Sequence, residues 1–150
     1  MKTLIKFTVI AAGLIMMLNS CEKNEGPKIK NVEIGTENSS KVYVGDELHV
    51  EATILAEKKI ASIRLTIHSE EHGTHVISSL KMRVAAIGAT EWEVDSTYRG
   101  VYANVKNTEF HEHIDIPTNA ETGSYHLHLY VTDMDGNQAI FEDEFNLLAK

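Results

Sequence analysis

Residues 123–137 read Gly-Ser-Tyr-His-Leu-His-Leu-Tyr-Val-Thr-Asp-Met-Asp-Gly-Asn, and their pattern is the clearest indication of the fold. From Tyr125 to Val131, apolar or aromatic side chains at odd positions alternate with histidine and tyrosine at even positions. A period of two residues is typical of a β-strand with one buried face. Asp135-Gly136 then predicts a tight hairpin turn, after which 138–147 returns as a second strand.

The same alternation occurs in three further segments. They are 48–55, 60–68 and 110–116, the last of which is ended by Pro117. Shorter or less regular strands are predicted at 28–34, at 42–44 and around Trp92 and Val94. Residues 75–89 fit a β-hairpin or a short helix equally well. Seven or eight short strands without a convincing long helix predict an all-β fold, a two-sheet antiparallel β-sandwich.

The start of the strand at 123–131 resembles the sixth strand of immunoglobulin-like (Ig-like) domains. In those domains a corner tyrosine precedes a core position by two residues, as Tyr125 precedes Leu127 here. This resemblance assigns the strands B, C, E, F and G to 48–55, 60–68, 110–116, 124–132 and 138–147. In an Ig-like sandwich B pairs with E in one sheet, and C pairs with F in the other.

The amino terminus has the pattern of a lipoprotein signal peptide. Lys2 and Lys6 precede an apolar run over 7–18, which as a helix would span about 18 Å, short of the roughly 30 Å hydrocarbon core. Leu18-Asn19-Ser20-Cys21 resembles a lipobox. We therefore expect a signal peptide at 1–20, an acylated Cys21 on a tether over 21–27, and a domain over 28–150. The bilayer is then a partner, and the protein is anchored to the outer membrane of the cell envelope.

The charge of the chain argues against nucleic-acid binding, and its cysteine content excludes an internal disulfide. The chain carries 14 Lys and Arg against 22 Asp and Glu, a net charge of −8, which becomes −10 once residues 1–20 are removed with Lys2 and Lys6. Such an acidic domain is repelled by phosphate backbones, so nucleic-acid binding is not expected. A lone cysteine forms no internal disulfide. The length suits one domain.

Several segments resemble an uncharacterised family of Bacteroidota lipoproteins with an Ig-like domain. They are His111-Glu112-His113-Ile114-Asp115-Ile116-Pro117, Gly123-Ser124-Tyr125-His126-Leu127-His128, Val131-Thr132-Asp133 and Gly136-Asn137. The similarity extends over 45–68 and 107–137, and residues 74–91 look like an insertion. The resemblance implies the fold and the location at the cell envelope. It implies no activity, because that family has none assigned.

Six of the eight histidines fall on the outward parity of predicted strands. The pairing of B with E groups His49, His111 and His113, which we call the first histidine cluster. The pairing of C with F groups His68, His126 and His128, the second histidine cluster. Histidines at i and i+2 lie about 6.6 Å apart on one face of a strand, and a third histidine on a neighbouring strand about 4.8 Å away completes a possible three-imidazole site.

The predicted function is therefore a membrane-anchored module that binds a transition metal, or a metal-containing ligand, through these clusters. Imidazole favours Zn, Cu(II) or Ni over Ca or Mg. Full overlap of B with E would place His49 near Asp115 and Glu51 near His113, so these carboxylates are candidates for a fourth ligand or for orienting the histidines. Overlap of C with F would place His68 diagonal to His126, and His72 would extend the second cluster.

Other hypotheses remain compatible with the sequence. The domain could be an Ig-like structural or interaction module of a surface protein complex or a glycan-handling complex, with incidental histidines. It could sense pH, because clustered imidazoles repel one another when protonated near about pH 6. Metal-assisted hydrolysis with Glu51 or Glu112 as general base is not expected, because outer sheet faces are flat. Residues 133–137 look like part of a calcium loop, but a β-turn is favoured.

Overall fold

The computed structural model describes residues 25–69 and 88–150. The predicted signal peptide, Cys21, most of the tether, most of the predicted insertion, and His72 lie outside the described residues. Eight β-strands are present in the described ranges: β1 (Lys28–Ile34), β2 (Lys41–Tyr43), β3 (Glu47–Leu55), β4 (Ile60–Ser69), β5 (Val94–Tyr98), β6 (Asn107–Asp115), β7 (Gly123–Asp133) and β8 (Gln138–Leu148). None of the described segments forms a helix with the length and hydropathy that a membrane crossing requires.

The strands form two sheets that pack as a sandwich. One sheet has the order β1-β3-β6 and the other the order β2-β8-β7-β4-β5. Neighbouring strands are antiparallel except for β2, which pairs with β8 in parallel. The predicted pairings of B with E and of C with F are confirmed as β3 with β6 and β4 with β7. The all-β Ig-like sandwich is therefore confirmed, with one parallel pair that the sequence did not predict.

The core lies between the sheets and follows the alternation of the sequence. On β3 the even positions from Leu48 to Ile54 are buried, and on β7 the odd positions from Tyr125 to Asp133 are buried. Both sheets contribute to one apolar cluster, whose largest members include Tyr125, Phe110 and Phe145. Because every second side chain of these strands enters this core, the intervening side chains must lie on the outer faces.

Tyr125 forms the expected tyrosine corner. Its hydroxyl donates a hydrogen bond of 2.7 Å to the carbonyl oxygen of Glu121, four residues earlier. Burial raises the pKa of the Tyr125 phenol, which therefore stays a neutral donor. The ring stacks on Phe145 at 5.7 Å between centroids, and Trp92 packs against both rings. The strand predicted around Trp92 and Val94 is β5, which begins at Val94, so Trp92 lies two residues before it.

Asp133 organises the turn between β7 and β8. The side chain is 2 % exposed, and its carboxylate accepts hydrogen bonds from the Asp135 amide at 3.0 Å, the Asn137 amide at 2.8 Å and the Asn137 side-chain amide at 2.9 Å. Gly136 occupies the left-handed region at φ +86°. Both carboxylate oxygens are thus engaged by the turn itself, which agrees with the β-turn interpretation rather than a calcium loop.

Replacement of Asp133 by Asn should destabilise the fold in a pH-dependent manner. Burial opposes ionisation of Asp133, but the hydrogen bonds from Asn137 and from the amides of Asp135 and Gly136 outweigh it and lower the pKa of its carboxyl. Hydrogen bonds to a charged group are worth about 1.5–3 kcal/mol, so we expect Asp133→Asn to cost about 2 kcal/mol at pH 7. Because the folded pKa is the lower one, this difference should shrink as the pH falls below about 4.

Chemical denaturation of the wild type and Asp133→Asn at pH 7 and pH 3 measures both effects. Asp115→Asn, a charge removal at an exposed position at the end of β6, serves as the control and should leave stability nearly unchanged. Equal stability of wild type and Asp133→Asn at pH 7, or a difference that persists in full at pH 3, would contradict this account of the turn.

Candidate metal centres

The register of β3 against β6 assembles the first histidine cluster on the outer face of the three-stranded sheet. His49 lies directly opposite His113, and Glu51 lies opposite His111. The predicted neighbours were therefore wrong by two residues: Asp115 lies opposite Glu47 and not beside His49. The reason is that β6 begins at Asn107, three residues before the predicted start, and pairs there with Leu55, which displaces the register by two residues from the predicted one.

The three imidazoles of the first histidine cluster lie close together. The His49 ring centroid is 4.8 Å from that of His111 and 5.1 Å from that of His113. The Nε2 atoms of His111 and His113 are 3.1 Å apart. One ligand atom from each of the three histidines falls within 4.8 Å of the others. Within residues 25–69 and 88–150, this is the group of three side chains whose ligand atoms are close enough to surround one metal ion.

Two carboxylates flank these imidazoles. The Glu51 Oε2 atom lies 3.6 Å from His49 Nε2 and 3.6 Å from His111 Nδ1, and Glu47 Oε2 lies 3.4 Å from His113 Nδ1. The His49 Nε2 atom is buried and has no hydrogen-bond partner. Glu51 was predicted to assist the cluster, although beside His113 rather than His111. Glu47 was missed, and the signal for it was its shared parity with His49 and Glu51 on one strand.

Glu112 takes no part in this cluster. Its parity on β6 turns it to the opposite face of the sheet, where its Oε1 accepts a 2.7 Å hydrogen bond from the Tyr102 hydroxyl. Burial is the main cause that raises the pKa of the Tyr102 hydroxyl, and its hydrogen bond to the Glu112 carboxylate raises the pKa further. The suggestion that Glu112 could serve as a base beside the histidines was wrong, because neighbouring residues of a strand point to opposite faces.

An open cleft borders the first histidine cluster. Its volume is about 950 Å³, and its wall includes His49, His113 and the three carboxylate residues Asp46, Glu47 and Asp115. Lys41 also lines it. The cleft gives solvent and small molecules access to one side of the cluster.

The second histidine cluster lies on the outer face of the five-stranded sheet. His68 on β4 lies directly opposite His126 on β7, not diagonal to it as predicted, and His128 takes the diagonal position. The Nε2 atoms of His68 and His128 are 3.2 Å apart, with their ring centroids at 5.2 Å. The His126 ring lies beside them, 5.4 Å from His68 and 6.4 Å from His128.

Every Nδ1 atom of the second cluster faces an acceptor. The Nδ1 atom of His68 lies 3.2 Å from the carbonyl oxygen of Ser69. The Nδ1 atom of His128 lies 3.2 Å from Glu142 Oε1, and the Nδ1 atom of His126 lies 3.6 Å from Glu144 Oε1. Glu142 and Glu144 stand opposite His128 and His126 on β8. Sequence reasoning missed both glutamates, although they share one parity on the strand predicted to follow β7.

A family model, DUF4625, described as a domain of unknown function, matches residues 19–148. The chain belongs to the DUF4625 family. No curated protein matches the sequence. The DUF4625 match begins after the apolar run at 7–18 and contains both histidine clusters.

Solved structures similar to this DUF4625 domain share little sequence with it, and the likeness to the sporulation control protein Spo0M, with a TM-score above 0.5, supports the fold alone. The sporulation control protein Spo0M from Bacillus subtilis has 10 % identity and a TM-score of 0.51, over 84 % of this chain and 51 % of that protein, so the DUF4625 chain spans about half of Spo0M. The soluble domain of PmoD from Methylocystis sp. has 11 % identity and a TM-score of 0.41, over 80 % and 90 % of the two chains. A family 123 glycoside hydrolase from Clostridium perfringens has 17 % identity and a TM-score of 0.40, over 83 % and 27 %.

Proposed function

We propose that this DUF4625 protein is a membrane-anchored module that binds one transition-metal ion at the first histidine cluster. The observation that carries the proposal is the meeting of His111 and His113 through their Nε2 atoms, 3.1 Å apart, while each Nδ1 faces a glutamate. Ring centroids 5.1 Å apart place the two Nε2 atoms on the facing edges of the rings.

This arrangement leaves two lone pairs without a donor. A carboxylate only accepts hydrogen bonds, so Glu51 and Glu47 favour the proton of each neutral ring on Nδ1. Both Nε2 atoms are then acceptors directed at each other. A metal ion bound between the two Nε2 atoms would accept both lone pairs. Two nitrogens bound to one tetrahedral ion at about 2.05 Å lie about 3.3 Å apart, close to the 3.1 Å between these Nε2 atoms.

His49 supplies the third ligand in this proposal. One ligand atom of His49 falls within 4.8 Å of those of His111 and His113. Glu51 Oε2 lies 3.6 Å from the His49 Nε2 atom, where a carboxylate favours a proton on Nε2 and leaves the Nδ1 lone pair for the ion. Glu51 then orients two ligating histidines at once, in the manner by which carboxylates fix the tautomer of metal-bound imidazoles. The cleft beside His49 and His113 gives water or a small ligand access to the remaining position.

The donor set favours a particular class of ion. Three imidazoles suit Zn, Cu(II) or Ni, whereas Ca and Mg prefer oxygen ligands. The negative charge of the chain adds a general attraction for cations. Binding rather than hydrolysis is proposed, because the carboxylates at the cluster are placed to orient the histidines rather than to activate water.

Anchorage is the second part of the proposal. We propose that residues 1–20 are removed as a signal peptide and that Cys21 carries the acyl chains that hold the domain at the outer membrane. The lipobox-like sequence ending at Cys21 supports this, as does the start of the family match at residue 19, after the apolar run. Two or three acyl chains give stable attachment.

The metal proposal predicts that His111→Ala with His113→Ala removes one tightly bound zinc ion per chain. Calorimetric titration of the full chain in mild detergent with Zn²⁺ measures the stoichiometry. The matched control is Asn107→Ala with Glu109→Ala, which alters the same strand, face and spacing outside the cluster. Glu51→Gln should weaken binding at this site by about 10–100-fold, the usual effect of losing an orienting group.

An unchanged number of bound ions in the His111→Ala, His113→Ala chain would overturn the metal proposal. It would favour an Ig-like interaction module with incidental histidines. Loss of binding in the control as well would show that the variants disturb the fold rather than the ligands, and would also count against the proposal.

The anchorage proposal predicts that Cys21→Ser prevents acylation. Labelled palmitate fed to the producing bacterium should enter the wild-type protein and should be absent from Cys21→Ser, which should also remain at the size of the precursor. Ser20→Ala keeps a small residue before the cysteine and should retain the label. Label that persists in Cys21→Ser would contradict the assignment.

A further inference from the structure

We propose that the second histidine cluster is a separate metal site, with His68 and His128 as its ligand pair and His126 beside them. This inference goes beyond the proposed function, which concerns the other sheet. It rests on hydrogen bonds around His68 and His128 that fix which nitrogen of each ring carries the proton.

The tautomer of His68 follows from its neighbour. The carbonyl oxygen of Ser69 has no proton to give, so the 3.2 Å contact requires the Nδ1 of His68 to donate. In the neutral ring the Nε2 atom is then an unprotonated acceptor. A backbone carbonyl is one of the groups that commonly fix a metal-ligating histidine in this way.

The tautomer of His128 follows in the same way. Its Nδ1 lies 3.2 Å from the Glu142 Oε1, and a carboxylate accepts hydrogen bonds. The His128 ring also lies parallel to the Tyr130 ring, at 7° between planes and 6.1 Å between centroids, which restricts its orientation. The Nε2 atom of His128 is therefore also an acceptor.

These two acceptor nitrogens meet at 3.2 Å without a donor between them. Ring centroids 5.2 Å apart show that the Nε2 atoms lie on facing edges of the rings. The separation is close to the roughly 3.3 Å expected for two nitrogens on a tetrahedral ion at about 2.05 Å from each. A transition-metal cation of the class that imidazole prefers therefore satisfies both lone pairs.

The charges around this pair also favour a cation. Glu142 and Glu144 on β8 both lie on the histidine side of the sheet, opposite His128 and His126. Arg64 lies on the same face, but its guanidinium is held by Asp95 through two hydrogen bonds of 2.7 Å. The pairing neutralises its charge and leaves the carboxylates of β8 to dominate beside the histidines.

The second site shares no ligand with the first. The two clusters lie on the outer faces of different sheets, with the apolar core between them. Two histidines with a third alongside form a less complete donor set than the three of the first cluster. We therefore expect two ions per chain that bind independently, with the ion at the second site held more weakly.

The test uses the full chain with His111→Ala and His113→Ala, so that the first site is absent. Titration with Zn²⁺ should still show one ion, and further replacement of His68 and His128 by Ala should abolish that binding. Thr66→Ala with Thr132→Ala, on the same two strands and the same face, is the matched control and should retain the ion. Absence of the residual ion, or its persistence without His68 and His128, would overturn the second site.

A measurement on the metal-free wild type keeps the inference testable if a variant fails to fold. Nitrogen NMR of the histidine side chains at alkaline pH should find the proton of both His68 and His128 on Nδ1, and Zn²⁺ should then shift their Nε2 signals. A proton on Nε2 in either ring would contradict the inference. These results do not depend on the first cluster, so failure of the two sites can be distinguished.

Discussion

Burial of one face of each long strand holds the two sheets together and orients the side chains of both histidine clusters. Each large apolar side chain in the core contributes about 1.5–3 kcal/mol on leaving water. On β3 and β7 these side chains occupy every second position. A slip of one residue would expose the core and bury histidines, so the hydrophobic effect fixes the face of every histidine before any ligand is considered.

The same constraint explains which features the sequence predicted and which it did not. Alternation located the long strands and the outward face of all six histidines, and the corner tyrosine at Tyr125 identified the Ig-like arrangement. Alternation cannot distinguish two registers that differ by two residues, because such a shift leaves each side chain on its face. The predicted contacts of His49 with Asp115 and of His68 diagonal to His126 therefore failed, whereas the triplets themselves assembled. The register of each pair depends on where its two strands begin and end.

The acidic partners were harder to anticipate for a related reason. Glu142 and Glu144 belong to β8, and their proximity to the histidines follows only from the pairing of β7 with β8. In both clusters two histidines meet through Nε2 while Nδ1 faces an oxygen. The first cluster adds a third close imidazole and an adjoining cleft, and the second adds firmer hydrogen bonds to Nδ1. Family and fold assign no function to either arrangement, and the proposed metal binding rests on these local contacts.

We propose that His49, His111 and His113 together hold one transition-metal ion. Anomalous diffraction from crystals of the full chain grown with Zn²⁺, recorded on both sides of the zinc absorption edge, would locate such an ion. We expect an anomalous peak about 2.0–2.1 Å from one ring nitrogen of each of these three histidines. Zinc peaks elsewhere in the same crystal, with none among these three rings, would contradict it.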